Sequence, residues 1–92
     1  MDIVRKRFLV TGRVQGVGFR WFTRAHAERL DLVGFVCNLP DGAVLCEAQG
    51  SRAAVVELGD RLLAGPPDAS VQEVAVTDLA VDAASLSFLV RR

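Results

Sequence analysis

One segment of the sequence suits anion chemistry, a pair of glycines followed by an arginine. Residues 14–20 read VQGVGFR, so Gly16 and Gly18 stand two positions apart and Arg20 follows them. Two such glycines let the backbone curl until successive N–H groups converge, and a helix that starts after them adds its positive end. A guanidinium at that junction can bind two phosphoryl oxygens. The segment therefore predicts a phosphate or carboxylate site, although a glycine turn before an exposed arginine also occurs as a plain strand-to-helix connection.

The same segment does not indicate a nucleotide cofactor. It lacks the Gly-Lys-Ser/Thr ending of a Walker-type loop, and Trp21 stands where a dinucleotide fingerprint would have its third glycine. Trp21 is most simply a packing residue.

Asn38 is the second candidate for chemistry. It lies in the alternating stretch 35–39 and shares a face with Val36, where an unpaired amide would be costly. Two roles remain open from the residues alone. The side chain caps the following turn, or it faces the glycine loop and hydrogen-bonds a water.

Residues 40–42, Pro-Asp-Gly, suit a three-residue hairpin loop with the glycine in the left-handed conformation. That loop pairs Leu39 with Ala43 and places Cys37 and Cys46 on opposite faces, which predicts two free thiols. A two-residue loop would instead place the two cysteines opposite each other, where a disulfide is conceivable.

The two candidate blocks resemble the signatures of the acylphosphatase family. Residues 11–20, TGRVQGVGFR, are similar to the signature around its phosphate-binding loop, and residues 34–38, GFVCN, are similar to a second signature that ends in a catalytic asparagine. Residues 65–67 and the closing stretch 88–91 also resemble the family, so the likeness covers essentially the whole chain. Phe35 and Cys37 depart from the tryptophan and the long side chains common there.

The resemblance implies a single-domain acylphosphatase over residues 1–92. Its implied reaction is the hydrolysis of acyl phosphates to a carboxylate and inorganic phosphate, with no metal or other cofactor. Asn38 would position the attacking water, and the leaving carboxylate, with a conjugate-acid pKa near ~4, demands no general acid. The alternative is a non-catalytic module of the same fold that binds an anion or a protein. The implied catalytic residues are Arg20, which holds the phosphoryl group, and Asn38. The implied phosphate-binding residues, which cradle the phosphate with their backbone, are Gln15, Gly16, Val17, Gly18, Phe19 and Arg20.

Hydrophobic periodicity supplies the elements that must position these residues. Alternation predicts strands, and helical spacing predicts two helices. The first covers 19–33 and is expected to stop at Gly34, and the second covers 51–64, with Ser51 as its N-cap and Gly65 opening the Gly-Pro-Pro stop. The order is that of an α+β, ferredoxin-like two-layer sandwich, with a five-stranded antiparallel sheet and two helices on one face. In the last two strands Val76, Leu86 and Phe88 are expected to face inward. The predicted strands are 5–14, 35–39, 43–49, 71–81 and 86–91.

Composition limits the partners. Eleven basic and eleven acidic residues cancel, so the chain lacks the broad positive field of a nucleic-acid or membrane binder. No apolar run approaches a membrane span, and two cysteines with one histidine cannot form a zinc site. His26 is expected to be a partly buried structural residue. The sequence predicts a cytoplasmic monomer whose partners are a small acyl phosphate and inorganic phosphate.

Overall fold

The computed structural model describes residues 2–92, and this part of the chain forms five strands and two helices. The sheet order is β4-β1-β3-β2-β5, and both helices pack on one face of it and against each other. This confirms the predicted ferredoxin-like α+β sandwich. In chain order the elements are β1 (Ile3–Arg13), α1 (Phe19–Arg29), β2 (Val33–Asn38), β3 (Val44–Ser51), α2 (Arg52–Ala64), β4 (Ser70–Leu79) and β5 (Phe88–Val90).

The sheet is mixed, so the expectation of an antiparallel sheet is wrong at one edge. β1 pairs antiparallel with β3 and β4, and β2 pairs antiparallel with β3, but β2 and β5 run parallel, with Gly34 opposite Phe88. The reason is where β4 ends. Leu79, the last residue of β4, pairs with Arg5 at the end of the sheet where β2 begins. A connection that crosses the sheet along this end places the start of β5 beside the start of β2, so the two strands run in the same direction.

The core lies between the sheet and the helices, and it contains alternate strand residues and one stripe of each helix. This arrangement is what period-two and period-3.6 patterns predict. The buried residues include Phe8, Val10, Val36, Val44, Cys46 and Ala48 from the strands and Phe19, Ala27, Val55, Leu58 and Leu62 from the helices.

Helix α2 has the predicted bounds because both of its ends carry strong local signals. The Ser51 hydroxyl accepts a hydrogen bond from the Ala54 N–H at 3.2 Å, and Gly65 ends the helix with a φ of 69°.

No helix within residues 2–92 is both long and apolar enough to cross a membrane.

Helix α1 ends four residues earlier than the sequence predicts. It stops at Arg29, Asp31 takes a φ of 57°, and Val33 is already the first residue of β2. Aspartate tolerates the left-handed conformation, so the chain can reverse without a glycine. Gly34, expected to stop the helix, instead lies inside β2, where a Cβ would overlap the Glu47 carbonyl oxygen of β3.

Two residues expected to face inward are exposed. Val76 pairs with Phe8 and shares its face of the sheet, but β4 is an edge strand, a groove remains between it and α2, and Val76 is 52% exposed. Leu86 is 86% exposed because it precedes β5 and belongs to the connection from β4. Phe88, by contrast, is buried as predicted.

The predicted hairpin register between β2 and β3 is confirmed. The Leu39 N–H donates to the Ala43 carbonyl at 2.8 Å, and Gly42 has a φ of 97°. Cys37 therefore lies opposite Leu45, and Cys46 lies on the other face of the sheet. Both cysteines are free, and burial raises the pKa of the Cys46 thiol.

Candidate active site

The glycine loop between β1 and α1 presents backbone N–H groups to open space. Gly16 and Gly18 have φ values of 75° and 79°, and a Cβ at either position would meet no atom within 4 Å. The N–H groups of residues 15–18 make no hydrogen bond within the described chain, and no side chain caps α1. Because the first-turn N–H groups of a helix also lack intrahelical partners, this corner is rich in unused donors. The loop has the geometry of an anion cradle.

The side chain of Gln15 fixes this loop against the β2–β3 hairpin. Its Nε2 donates to the Leu39 carbonyl at 2.8 Å and to the Ala43 carbonyl at 2.9 Å. Sequence reasoning considered only the backbone of Gln15 and missed this contact. A glutamine beside a glycine turn gave no signal for it, because both acceptors are backbone atoms 24 and 28 residues away.

Arg20 lies in the first turn of α1 and is half-buried, and its guanidinium contacts the backbone just after β5. Its Nη1 donates to the Arg91 carbonyl at 3.0 Å. No carboxylate of the described residues forms an ion pair with Arg20. The guanidinium is thus oriented by a neutral acceptor and keeps donors available for an anion.

Asn38 is the last residue of β2 and is half-buried. Within residues 2–92 its side chain makes no hydrogen bond, so the alternative in which it caps the hairpin turn is wrong. Asp41 does this instead, since its Oδ1 accepts from the Ala43 N–H at 3.0 Å. The amide of Asn38 is left with both its donor and its acceptor unused.

One cavity of about 160 Å³ brings the predicted residues together. Gln15 and Val17 do not line it with their side chains, since Gln15 is bound to the hairpin and Val17 packs against the core. Trp21 does line it, and it is 60% exposed, so the expectation of a packing residue is wrong. The lining residues are Val14, Gly16, Gly18, Phe19, Arg20, Trp21 and Asn38.

This cavity is not the largest in the described chain. A groove of about 300 Å³ lies between α2 and β4, and a concavity of about 350 Å³ lies on the sheet face away from the helices. Neither contains the glycine loop with its unused N–H groups. The chemistry of the lining therefore identifies the smaller cavity as the candidate site.

The cavity contains no carboxylate, histidine or cysteine side chain. His26 lies on α1 against Phe22, with ring centroids 4.6 Å apart, and its pKa is lowered by burial and then by Arg29 and Arg61. It is partly buried, as predicted. Among residues 2–92 no group of three or more His, Cys, Asp or Glu side chains could hold a metal ion. What the cavity offers is hydrogen-bond donors, one positive charge and one free amide.

Comparison with known proteins agrees with this geometry. The family model described as Acylphosphatase matches residues 6–89. An acylphosphatase of Bifidobacterium longum is 48% identical over 92 residues, covering 99% of this chain and 95% of that relative. An acylphosphatase of Mycolicibacterium vanbaalenii is 52% identical over 71 residues, covering 77% of this chain and 76% of the relative.

Solved structures give the same result. The acylphosphatase from Coxiella burnetii superposes with a TM-score of 0.92 at 39% identity, covering 98% of this chain and 94% of that one. The acylphosphatase from Bacillus subtilis superposes with a TM-score of 0.93 at 32% identity, covering 97% and 99%. The chain belongs to the acylphosphatase family.

Proposed function

We propose that this chain hydrolyses acyl phosphates to a carboxylate and inorganic phosphate, with the 15–20 loop and Arg20 binding the phosphoryl group and Asn38 positioning the attacking water. One observation carries the assignment of roles. A loop of unused N–H groups, an arginine without a carboxylate partner and an asparagine with a free amide line a single cavity. Family membership supports the reaction itself.

The loop and Arg20 act on the phosphoryl oxygens. Phosphoryl transfer depends mainly on positioning and on stabilising charge at the equatorial oxygens. Backbone N–H groups and a guanidinium are already oriented in this site, so they stabilise that charge without reorganisation. The same donors can stabilise the charge of the phosphoryl group in place of a metal cation, and we therefore propose a metal-independent reaction.

Asn38 acts on the water. An amide can accept from a water and donate to it, so the side chain can orient a water lone pair toward phosphorus. The new oxygen–phosphorus bond forms as the anhydride oxygen–phosphorus bond breaks, and the electron pair leaves on the carboxylate. Water protons remain on the inorganic phosphate product. Since the carboxylate is a good leaving group, the lack of an acidic or basic side chain in the cavity is compatible with turnover.

The test is hydrolysis of benzoyl phosphate, followed by ultraviolet absorbance with EDTA present. We expect Arg20→Ala to lose phosphate binding and at least roughly 10²–10³ in turnover, because preorganised donors at developing charge have effects of that size. Asn38→Ala should lower kcat by a similar factor while the Kd for inorganic phosphate stays within about twofold. Arg61→Ala, which removes an exposed arginine of α2, is the matched control and should keep wild-type turnover.

Two results would contradict the assigned roles. Equal loss of phosphate affinity and turnover in Asn38→Ala would rule out a water-positioning role. Phosphate binding by the folded wild type without any turnover would favour the non-catalytic module instead.

We also propose that the protein acts as a monomer in the cytoplasm. The glycine loop, Arg20 and Asn38 already meet in one cavity, so the proposed chemistry needs no residue of a second copy, and two free thiols are typical of a reducing compartment. Light scattering coupled to size exclusion would test the first point. A stable dimer at micromolar concentration would overturn it.

A further inference from the structure

Trp21 is the sole tryptophan of the chain, and it is exposed at the mouth of the active-site cavity. The other large apolar residues of the lining, Val14 and Phe19, are buried in the core. Trp21 is therefore the one large apolar side chain of this cavity with surface left to contact a ligand. Tryptophan side chains are highly buried on average, so an indole exposed in this position lacks the stabilisation that burial would give it.

We propose that Trp21 is the contact surface for the acyl group, and that the enzyme prefers acyl phosphates with an aromatic acyl portion. The inference rests on the proposed function of Arg20 and the loop. If their donors hold the phosphoryl oxygens, the anhydride oxygen and the acyl group must point away from the loop. The cavity of about 160 Å³ must hold the phosphoryl group and a water, so the acyl group lies at the mouth.

The contacts of Trp21 favour a flat ligand. The Arg24 guanidinium lies over its ring, 5.9 Å from the centroid, and Arg24 is itself paired with Glu28 at 3.3 Å. The cation–π contact favours one orientation of the indole at the first turn of α1, next to Arg20. An oriented aromatic surface binds a second ring by offset or edge-to-face packing, which a methyl group cannot reproduce.

The experiment uses two inert analogues so that binding is measured apart from turnover. Phenacylphosphonate replaces the bridging oxygen of benzoyl phosphate with a methylene, and acetonylphosphonate does the same for acetyl phosphate. Calorimetric titration would give the Kd of each for the wild type and for three variants. Trp21→Ala removes the surface, Trp21→Phe keeps a ring, and Leu63→Ala is the matched control because Leu63 is 59% exposed on α2, outside this cavity.

We expect the wild type to bind phenacylphosphonate about 5- to 10-fold more tightly than acetonylphosphonate, the gain from burying one ring face. Trp21→Ala should abolish that difference by weakening phenacylphosphonate alone. Trp21→Phe should keep most of it, and Leu63→Ala all of it. The inference is overturned if the wild type shows no preference, or if Trp21→Ala weakens both analogues equally.

Steady-state rates with benzoyl and acetyl phosphate separate this inference from the proposed function. Turnover of both substrates without a Trp21-dependent binding preference would overturn the inference alone. A binding preference that depends on Trp21 in a protein without turnover would overturn the hydrolase assignment and leave the acyl-group contact in place.

Discussion

Replacing Gln15 with leucine tests whether the hairpin positions the phosphate loop. Leucine has a similar size but no amide, so Gln15→Leu removes the two hydrogen bonds from Nε2 to the Leu39 and Ala43 carbonyls. Both carbonyls keep another donor: Leu39 O accepts from the Gly42 N–H at 3.1 Å, and Ala43 O accepts from the Leu39 N–H at 2.8 Å. No acceptor is left without a partner.

The structure therefore predicts a modest loss of stability for Gln15→Leu. Two net hydrogen bonds contribute about 1–3 kcal/mol, and the lower half of that range applies because no unsatisfied group remains, so we expect about 1–2 kcal/mol. For a domain of this size each kcal/mol lowers Tm by roughly 4–8 °C. The protein should remain folded at 25 °C.

The effect on activity should be larger than the effect on stability. Gln15 links the glycine loop to the hairpin that carries Asn38, so its loss changes the distance between the bound phosphoryl group and the water. A misplacement of about 1 Å can reduce turnover roughly 10²-fold. We expect Gln15→Leu to lower kcat for benzoyl phosphate by about 10- to 100-fold.

Urea unfolding followed by circular dichroism would give the stability, and ultraviolet-monitored hydrolysis would give kcat. Gln72→Leu, at an exposed position of the edge strand β4, is the control and should change neither quantity by much. A variant that loses the expected stability but keeps wild-type kcat would refute the reasoning, because the loop would then hold its position without Gln15.

Three further predictions concern the glycines, the thiols and the histidine. Gly34→Ala should destabilise the protein by about 3 kcal/mol or more, because its Cβ would overlap a backbone carbonyl of β3. Gly18→Ala should cost only about 1–2 kcal/mol, since a positive φ is strained there but the space is open; equal urea midpoints for the two variants would contradict this. In a thiol titration without reductant, Cys37 should react in the folded protein and Cys46 only after unfolding, because Cys46 is buried and its thiol pKa is raised; two reactive thiols before unfolding would refute the register. The pKa of His26 is lowered in the folded state, so its protonation opposes folding: the stability is full above about pH 6.5 and decreases as the pH falls through the lowered pKa. His26→Gln should therefore lose less stability than the wild type between pH 7.5 and 5.5, as measured by urea unfolding, and an equal or greater loss would contradict the sign.

Several parts of this protein were predictable because they depend on neighbours in the sequence. The Ser51 cap, the Gly65 stop and the three-residue loop at 40–42 are signals read within a few residues, and each appears in the structure as predicted. The register of β2 on β3 followed from that loop, because the side-chain period of two leaves no freedom once the turn is set. Family signatures added Arg20 and Asn38, whose placement in one cavity the fold then provided.

Other parts could not be read from local patterns. The end of α1 was predicted too late because Val33 fits the helical spacing, while pairing with β3 outweighs it. Val76 was expected to be buried because it lies on the helix-covered side of the sheet, yet burial also requires a helix packed closely over it, and a groove remains between α2 and the edge strand β4. The parallel pairing of β5 depended on the end of the sheet at which β4 finishes.

By itself the sequence determined the fold class, most element bounds to within about two residues, the free thiols and the pair of residues best suited to phosphoryl chemistry, since periodicity, turn residues and short motifs act locally. Only the tertiary structure decided that Gln15 joins the loop to the hairpin, that Asp41 rather than Asn38 caps the turn, and that Trp21 is exposed at the cavity mouth. The Gln15 contact joins distant segments, and the exposure of Trp21 depends on the surface that packing leaves uncovered, so no local pattern encodes either of them. The Asp41 cap spans only two residues, but the local pattern does not distinguish it from a cap by Asn38.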